Sequence, residues 1–238
     1  MGPQVGLSNN PYNLGNRNIM KLSCLFCSGQ IGFSKAEVCI VKDEDTIISP
    51  DTRRQNRVPP GQSVTDGWPI LHYGGVPRIE ESLWRFRIFG LVEKERNLNF
   101  DEFMALPRVT VFSDVHCVTT WSRLNNLWEG VSASYLKDLV KIRPEASFAI
   151  IHASGGFTTN LSLEDFFQED VLFVIRHDGK TITPDHGYPV RLVVPRLYFW
   201  KSAKWVNGVE FTKEDRPGFW ESHGYHNHGD PWTEERYG

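Results

Sequence analysis

The chain has 238 residues, of which 40% are hydrophobic and 23% charged, and this is the composition of a globular protein. Its formal charge of −3 gives no overall field for nucleic acid or an anionic membrane, and no apolar run approaches the roughly 18 residues of a membrane helix. Four cysteines are too few for a disulfide scaffold and, with no export signal at the N-terminus, they predict a cytoplasmic protein.

The first 48 residues differ from the rest of the chain. They hold three of the four cysteines and many Asn and Gly, and they show no sustained hydrophobic periodicity. We expect residues 1–48 to form a poorly ordered extension and residues 49–238 to form one domain. Within the extension, Cys24, Cys27 and Cys39 are a weak zinc candidate, because the second pair of ligands is missing.

Several short segments of the domain have the composition of β-strands. The runs that alternate in polarity or are rich in β-branched and aromatic residues are 84–89, 109–115, 148–151, 171–175 and 190–194. Asn207 and Gly208, set between two apolar pairs, predict a β-hairpin turn, since both tolerate a positive φ.

Three short helices are predicted between these strands. Asn99 or Asp101 caps the first over residues 100–106, Ser132 or Ser134 opens the second as far as Lys141, and Ser162 caps the third over 163–168. The sequence therefore predicts an α+β fold that is mostly β, with mixed sheets and short helices.

The sequence lacks the phosphate-binding loops of Rossmann and P-loop proteins, the GxSxG elbow and the HExxH motif. Cys117 is its most informative residue, because it follows a predicted strand and precedes Trp121 and Trp128. The pattern alone leaves two interpretations open. Cys117 is either a small buried side chain or a thiolate ligand of a soft metal.

Basic residues are concentrated among apolar ones late in the domain. The four cations in question are Arg191, Arg196, Lys201 and Lys204. A solvated basic face does not need a Val-Val-Pro strand, so the pattern favours a bound phosphate or pyrophosphate. A surface strand with scattered basic residues is the alternative.

Two other segments contain candidate ligands. In the loop at 68–77, two glycines follow His72 and Tyr73, which suits a close approach to a ligand or a plain turn equally. A C-terminal cluster comprises His223, His226, His228 and Asp230. We interpret this cluster as a closing loop packed against the domain, with an independent metal site as the alternative.

Three segments together resemble the sulfite oxidase-type molybdenum-cofactor domain: HCVTTWS at His116, DHGYPVRLVVPRLYFWKSAKWV at Asp185, and RPGFWESHGYHNHGDPWTEERYG at Arg216. The most similar branch is the small single-domain sulfite oxidase-like group, which is related to the catalytic subunit of the bacterial protein-methionine-sulfoxide reductase. The resemblance extends from about residue 49 to the end, and it implies one molybdenum–molybdopterin cofactor per chain.

The resemblance also assigns roles to residues. Cys117 is the implied molybdenum ligand and catalytic residue. From their position just past Cys117, and not from the resemblance, Trp121 and Arg123 are further catalytic candidates in the pocket wall, with a surface ion pair as the alternative for Arg123. The residues expected to bind the cofactor are Leu71, His72, Tyr73, Ser154, His186, Arg191, Lys201, Ser202 and Lys204.

The chain departs from sulfite oxidases proper at two places and from close relatives at a third. Leu71 replaces an arginine that meets the anionic substrate, and Val-Thr-Thr-Trp follows Cys117 where Ala-Gly-Asn and arginines are usual. Phe157 stands where close relatives have a tyrosine. The first two departures weaken the case for sulfite as the substrate.

The preferred hypothesis is a two-electron oxygen-atom transfer on a small oxo substrate, either sulfoxide or N-oxide reduction or sulfite-type oxidation. Since the sequence has no haem, flavin or iron–sulfur motif, we expect a separate redox protein to be the electron partner. The missing dimerisation domain predicts a monomer. The alternative hypothesis is a non-catalytic, β-rich binding module that has lost the cofactor.

Overall fold

The computed structural model describes residues 45–238, and this region is mostly β-structure. Its strands, in chain order, are β1 (Ile47–Ile48), β2 (Ser63–Val64), β3 (Arg85–Gly90), β4 (Arg96–Asn99), β5 (Val109–His116), β6 (Trp121–Ser132), β7 (Phe148–Ala153), β8 (Thr158–Ser162), β9 (Leu172–His177), β10 (Lys180–Thr181), β11 (Arg191–Val193) and β12 (Val206–Thr212). Its α-helices are α1 (Phe100–Met104), α2 (Leu136–Leu139) and α3 (Leu163–Phe166). Each helix in this region is too short to cross a lipid bilayer.

The strands form two mixed sheets. The seven-stranded sheet has the order β1-β5-β6-β9-β10, with β11 also paired to β9 and β2 to β6. The five-stranded sheet has the order β4-β3-β12-β7-β8. Parallel pairs (β1 with β5, β2 with β6, and β3 with β12) occur beside antiparallel ones, so both sheets are mixed. The predicted α+β class with mixed sheets and short helices is confirmed.

The main hydrophobic core takes side chains from both sheets. Phe86, Ile151 and Phe211 come from the five-stranded sheet, and Val131 and Phe173 come from the seven-stranded sheet. All five are fully buried. Since successive residues of a strand point to opposite faces, each sheet contributes alternate residues to this core.

The seven-stranded sheet has a second buried face. Val111, Trp128 and Val174 pack there, under the partly buried Trp68 and Phe199. Along β11, Leu192 belongs to the main core while Val193 belongs to this second cluster. The alternation along β11 therefore places Arg191 on the second face, which is the face that carries the candidate site.

The five strands predicted from the β-branched and aromatic runs are present as β3, β5, β7, β9 and β11. Their ends differ from the predicted ends by one or two residues, as is usual for element boundaries. These strands were predictable because their apolar side chains fill a core on one or both faces, and the resulting pattern is visible in the sequence.

The predicted hairpin at Asn207 and Gly208 is wrong. Both residues lie inside β12, which runs between β3 and β7, and the register shifts between Val206 and Gly208. An ideal Cβ on Gly208 would approach the Arg87 carbonyl oxygen to 3.1 Å. The glycine thus permits an irregular strand close to its neighbour rather than a turn.

Strand β6, the longest in the described region, was not predicted. Its polar residues include Arg123, Asn125 and Asn126, and Asn125 has a φ of 60°. These residues interrupt the alternation expected of a half-buried strand. Their polarity has a structural cause, because the Asn125 N–H donates to the buried Asp114 carboxylate at 2.9 Å.

The predicted helix caps agree with the structure. Asn99 caps α1 in a capping box with Glu102. Ser132 accepts a hydrogen bond from the Ser134 N–H at the start of a 3-10 turn that leads into α2. Ser162 caps α3 by accepting from the Asp165 N–H at 3.0 Å. All three helices are shorter than predicted.

The predicted boundary at residues 48 and 49 stays a prediction. Strand β1 lies just before that boundary and pairs with β5, so the sheet includes the last two residues assigned to the extension. Residues 1–44, with the Cys24, Cys27 and Cys39 candidate, lie outside the described residues.

We expect Gly130→Ala to destabilise the domain strongly. A Cβ at Gly130 would lie 2.1 Å from the Phe173 carbonyl oxygen, where β6 and β9 approach each other closely. The free energy of unfolding, measured by urea denaturation, should fall by about 3 kcal/mol or more. The control Gly75→Ala adds a Cβ in open space and should change it by less than about 0.5 kcal/mol. Equal effects of the two substitutions would contradict the packing of β6 on β9.

Candidate active site

Cys117 lies in a tight turn between β5 and β6. The Cys117 N–H donates to the Trp121 carbonyl at 2.9 Å, and the Thr120 N–H donates to the Cys117 carbonyl at 3.0 Å. Thr120 has a φ of 72°, in the left-handed region. The Gln62 side chain also donates to the Cys117 carbonyl, at 3.0 Å. The backbone that carries the thiol is therefore held on both sides, which suits a residue that must keep a fixed direction.

The Cys117 thiol is nearly buried and lies close to a cation. Burial raises its pKa, whereas the Thr119 hydroxyl, 3.2 Å from Sγ, and the positive charge of Arg236 act in the opposite direction. A thiol whose pKa is raised is protonated at neutral pH. Cys117 is the single cysteine among residues 45–238.

Aromatic side chains surround this thiol. Tyr198 and Trp200 belong to the same buried cluster, and Trp121, Trp220 and Tyr225 pack against it. Trp121 is thus beside Cys117, as the sequence predicted. His116, the neighbour of Cys117 in the chain, is fully buried with Nδ1 2.8 Å from the Ser122 hydroxyl. Burial lowers the pKa of His116 to about 4, so it acts as a neutral structural residue.

Arg191 is a buried cation with no carboxylate partner among the described residues. Its side chain donates to the carbonyls of His186 at 3.0 Å, Ser202 at 2.9 Å and Leu192 at 3.5 Å. Burial lowers its pKa to about 9. Three of the five N–H donors of a guanidinium are used in this way, which leaves two for an anionic ligand.

His186 and Lys204 lie close to Arg191. Burial and the charges of Arg191 and Lys204 lower the pKa of His186 to about 4. Burial and Arg191 lower the pKa of Lys204 to about 8, and its ammonium group donates to the Asp185 carbonyl at 2.6 Å. His186 Nδ1 is buried without a hydrogen-bond partner in the described region. Mutually repelling cations and an unsatisfied nitrogen together indicate a site for an anion.

The turn at Gly187 brings these cations together. Gly187 has a φ of 111°, and a Cβ there would lie 3.0 Å from the Arg191 Cβ and 3.1 Å from the Lys204 Cα. Trp68 stacks on His186, with ring centroids 3.7 Å apart. Ser202 is buried, and its hydroxyl accepts a hydrogen bond from the Val194 N–H at 2.9 Å. We call the two cations Arg191 and Lys204, together with the uncharged His186 and Ser202 beside them, the cation cluster.

Arg123 is not an unpaired cation beside Cys117. Its guanidinium contacts the Asp178 carboxylate at 2.9 Å and His177 Nε2 at 2.9 Å, and it also donates to Asn126. The ion pair weighed as an alternative is therefore what the structure contains. A catalytic role for Arg123 stays a prediction that its contacts do not favour.

Lys201 points away from the cation cluster. Its ammonium group, which is 1% exposed, pairs with Glu221 at 2.7 Å and donates to Asn160 and to the Asn227 carbonyl. Glu221 also accepts from Trp200 Nε1 at 3.1 Å. These contacts give Lys201 a structural function, which is to hold the C-terminal segment. Its predicted contact with the cofactor finds no support in this geometry.

The loop residues predicted to bind the cofactor, Leu71, His72 and Tyr73, lie at the surface between the cation cluster and the aromatic residues around Cys117. The Leu71 and Tyr73 side chains are 50% and 71% exposed. The His72 ring meets the Trp205 ring edge-on at 5.7 Å, and Tyr73 packs on Phe219 at 4.9 Å. Ser154 lines a separate groove beside β3, although its N–H donates to the Trp205 carbonyl at 3.0 Å.

The C-terminal segment contributes residues that were not singled out from the sequence. Tyr225 packs against the cluster that contains Cys117. The Arg236 guanidinium donates to the Val118 carbonyl at 2.7 Å and lies 5.1 Å from the Tyr198 ring. Both residues belong to the third segment that carries the family resemblance, and that membership was the available signal.

Two of the C-terminal histidines, His226 and His228, contact carboxylates, and the third, His223, contacts the Phe219 carbonyl. His228 lies between Glu235 at 2.8 Å and Asp165 at 3.6 Å, and His226 is 3.3 Å from Glu235. Within residues 45–238, no group of three or more His, Cys, Asp or Glu side chains is arranged to hold a metal ion. The preferred interpretation, a closing loop packed against the domain, agrees with these contacts.

The arrangement fits a cofactor with one anionic end and one metal end. The cation cluster offers unused donors to a phosphate, and Cys117 offers a soft sulfur ligand in a cluster that shares Trp121 and Phe199 with the second buried face of the sheet. The aromatic side chains around Cys117 keep most water away from its thiol.

Comparison with known proteins agrees with this geometry. The model of the oxidoreductase molybdopterin-binding domain family matches residues 73–220. The uncharacterised oxidoreductase YuiH of Bacillus subtilis is 48% identical over 185 residues, which cover 77% of this chain and 93% of YuiH. The protein-methionine-sulfoxide reductase catalytic subunit MsrP of Campylobacter jejuni is 31% identical, over 59% of this chain and 52% of MsrP.

A solved structure shares the fold. The sulfane dehydrogenase SoxCD of Paracoccus pantotrophus superposes with a TM-score of 0.55 at 23% identity, over 60% of this chain and 41% of that one. The chain thus spans about half or less of MsrP and SoxCD and most of YuiH.

We expect Lys201→Met to destabilise the apoprotein by about 3–5 kcal/mol, because it leaves the Glu221 carboxylate buried and unpaired. The double variant Lys201→Met with Glu221→Gln should recover part of that loss. Urea denaturation of the cofactor-free protein provides the measurement. If Lys201 binds the cofactor instead, Lys201→Met will leave apoprotein stability unchanged and lower only the cofactor content.

The stability that His228 contributes should depend on pH. Contact with the Asp165 and Glu235 carboxylates raises its pKa to about 9 from 6.5, although burial opposes this. The contribution is therefore fully present below pH 6.5 and is lost as the pH rises towards 9. His228→Gln should lower the melting temperature at pH 6 and have little effect near pH 9.5. A difference that stays constant with pH would contradict this assignment.

Proposed function

The chain belongs to the oxidoreductase molybdopterin-binding domain family, and we propose that it reduces a small organic S-oxide or N-oxide. The family assignment makes it an oxidoreductase with a molybdenum–molybdopterin cofactor. The finer statements, namely the substrate, the direction of the reaction and the residues that hold the cofactor, are our proposals.

The observation that carries the proposed cofactor site is the Arg191 guanidinium, which is buried and has no carboxylate partner in the described region. A buried cation is stable only if hydrogen bonds and an opposite charge compensate its lost hydration. We propose that Arg191 and Lys204 hold the pterin phosphate, with His186 donating from Nδ1. Ser202 supports this contact by fixing the backbone at Val194.

We propose that Cys117 is the molybdenum ligand. The turn that holds its backbone fixes the direction of the thiolate, and Thr119 is placed to donate a hydrogen bond to the sulfur. When bound, the molybdenum supplies the two-electron exchange of an oxygen atom. The chain itself orients the substrate and excludes water, through Trp121, Trp200 and Tyr225 around the thiol.

Two features favour reduction of a neutral oxide over oxidation of sulfite. Leu71 stands where the resemblance places an anion-binding arginine. Arg123 and Arg236 are each paired with a carboxylate, that of Asp178 at 2.9 Å and that of Glu234 at 3.8 Å respectively. Aromatic surroundings of the thiol in which both nearby cations are paired suit a neutral organic sulfoxide or amine oxide better than an anion. The balanced reaction takes two electrons and two protons and releases the substrate oxygen as water.

The experiment combines metal content with an activity panel. Purified cofactor-loaded protein should contain near-stoichiometric molybdenum and should oxidise reduced methyl viologen with dimethyl sulfoxide or trimethylamine N-oxide as acceptor. Cys117→Ser should lower this activity by more than about a hundredfold. Efficient turnover of sulfite with ferricyanide, and of no oxide, would reverse the proposed direction.

The phosphate contact is tested by Arg191→Ala. Each charge-assisted hydrogen bond that is lost weakens binding by roughly 1.5–3 kcal/mol, so cofactor occupancy should fall below about a tenth. The control Arg176→Ala removes a guanidinium that is 41% exposed and should keep full occupancy. Protein without molybdenum in the wild type would favour the alternative of a binding module that has lost the cofactor.

A further inference from the structure

Exposed apolar side chains are concentrated beside the candidate site. Of the seven large hydrophobic side chains that are exposed in the described region, six lie between residues 64 and 83: Val64, Ile70, Leu71, Tyr73, Val76 and Leu83. Single exposed apolar residues are normal on a folded protein, but Ile70, Leu71, Tyr73 and Val76 belong to one short loop, and this concentration favours an interaction surface.

A basic groove continues this surface. Arg78, Arg85, Arg87 and Leu83 line a groove of about 570 Å³ on the outer side of β3. Among the lining residues, Glu80 is the single carboxylate. Arg87 lies 4.4 Å from the Phe89 ring, and its nearest carboxylate, that of Glu95, is at 3.8 Å. The groove is therefore positive in a chain whose overall charge is −3.

The loop at 70–78 connects the groove to the candidate site. It carries Leu71 and Tyr73 at the surface, His72 against Trp205, and Arg78 in the groove. Lys204, a member of the cation cluster, lies over the Trp205 ring at 5.5 Å. A partner seated on this loop and groove would thus lie against the residues that surround the cofactor site.

We propose that this surface, formed by the loop at 70–78 and the basic groove, docks a small acidic electron-transfer protein. The proposal rests on the proposed function, because the reduction of an oxide needs two electrons that the chain must receive. The reduced partner delivers them one at a time, and two protons from water complete the release of the substrate oxygen as water.

The chemistry of the surface selects this occupant. An apolar patch edged by cations is complementary to a partner whose redox group lies in an apolar surface ringed by carboxylates. Electron-transfer interfaces are small, so one loop and one groove suffice. A second copy of this chain would bring Arg78, Arg85 and Arg87 against their own equivalents, and that like-charge contact is unfavourable.

The test compares a protein donor with a small donor. In this assay, the cofactor-loaded wild-type protein receives electrons from one of three donors: reduced flavodoxin, a reduced acidic [2Fe–2S] ferredoxin, or reduced methyl viologen. Dimethyl sulfoxide is the final electron acceptor in each case. We expect the triple variant Arg78→Glu, Arg85→Glu, Arg87→Glu to lower the second-order rate constant with the protein donor by roughly tenfold to a hundredfold at low salt. The rate with methyl viologen should stay within about twofold, since the small donor does not need the groove.

Two controls separate charge from docking. The triple variant Arg53→Glu, Lys180→Glu, Lys213→Glu reverses as many exposed charges outside the groove and should leave the protein-donor rate within about threefold. Leu83→Ser removes apolar contact without changing charge, and it should lower that rate while preserving its dependence on ionic strength. All variants must match the wild type in molybdenum content and melting temperature.

Three outcomes would overturn the docking proposal. In the first, methyl viologen supports turnover of the wild type, but neither acidic carrier reacts with it in a saturable way. In the other two, the wild type self-associates or binds phosphatidylglycerol vesicles, and the Arg78, Arg85 and Arg87 variant does not. Absence of turnover with methyl viologen would instead count against the proposed function. The two failures are therefore distinguishable.

Discussion

The burial of one guanidinium is the constraint on which the rest of the site depends. Arg191 is 1% exposed, and its hydrogen bonds in the described region go only to carbonyl oxygens. Such a charge is costly unless something anionic completes it. The left-handed turn at Gly187 and the aromatic faces of Trp68 and Phe199 are arranged around it. Without Arg191, the turn and the two aromatic rings would lose the charged group that they surround.

The strands that could be predicted from the sequence are those whose burial appears as a run of apolar residues. Strands such as β9, with apolar residues on both faces, have a pattern that is visible without the structure. Strand β6 does not, because its polar residues are needed to satisfy buried groups such as Asp114. The Asn207–Gly208 pair misled for a related reason. Its local preference is for a turn, but two neighbouring strands hold it extended.

The candidate site was predictable where local sequence and family resemblance agreed. Cys117, His186 and Arg191 occupy positions that suit their expected roles. Lys201 and Arg123 were harder, because a sequence shows a charge but not its partner, and Glu221 and Asp178 are distant or unremarkable in the chain. Which of several nearby cations stays unpaired is decided by tertiary contacts, so the geometry was required.

Two ion pairs that differ in their exposure to solvent hold the C-terminal segment against the domain. The pair of Lys201 with Glu221 is buried, whereas His228, which pairs with Asp165 and Glu235, is half exposed. Dissolved salt screens the exposed pair far more than the buried one. We therefore expect rising ionic strength to loosen the contacts of His228 before those of Lys201, so that local opening of the segment would start at His228 and not at the buried pair.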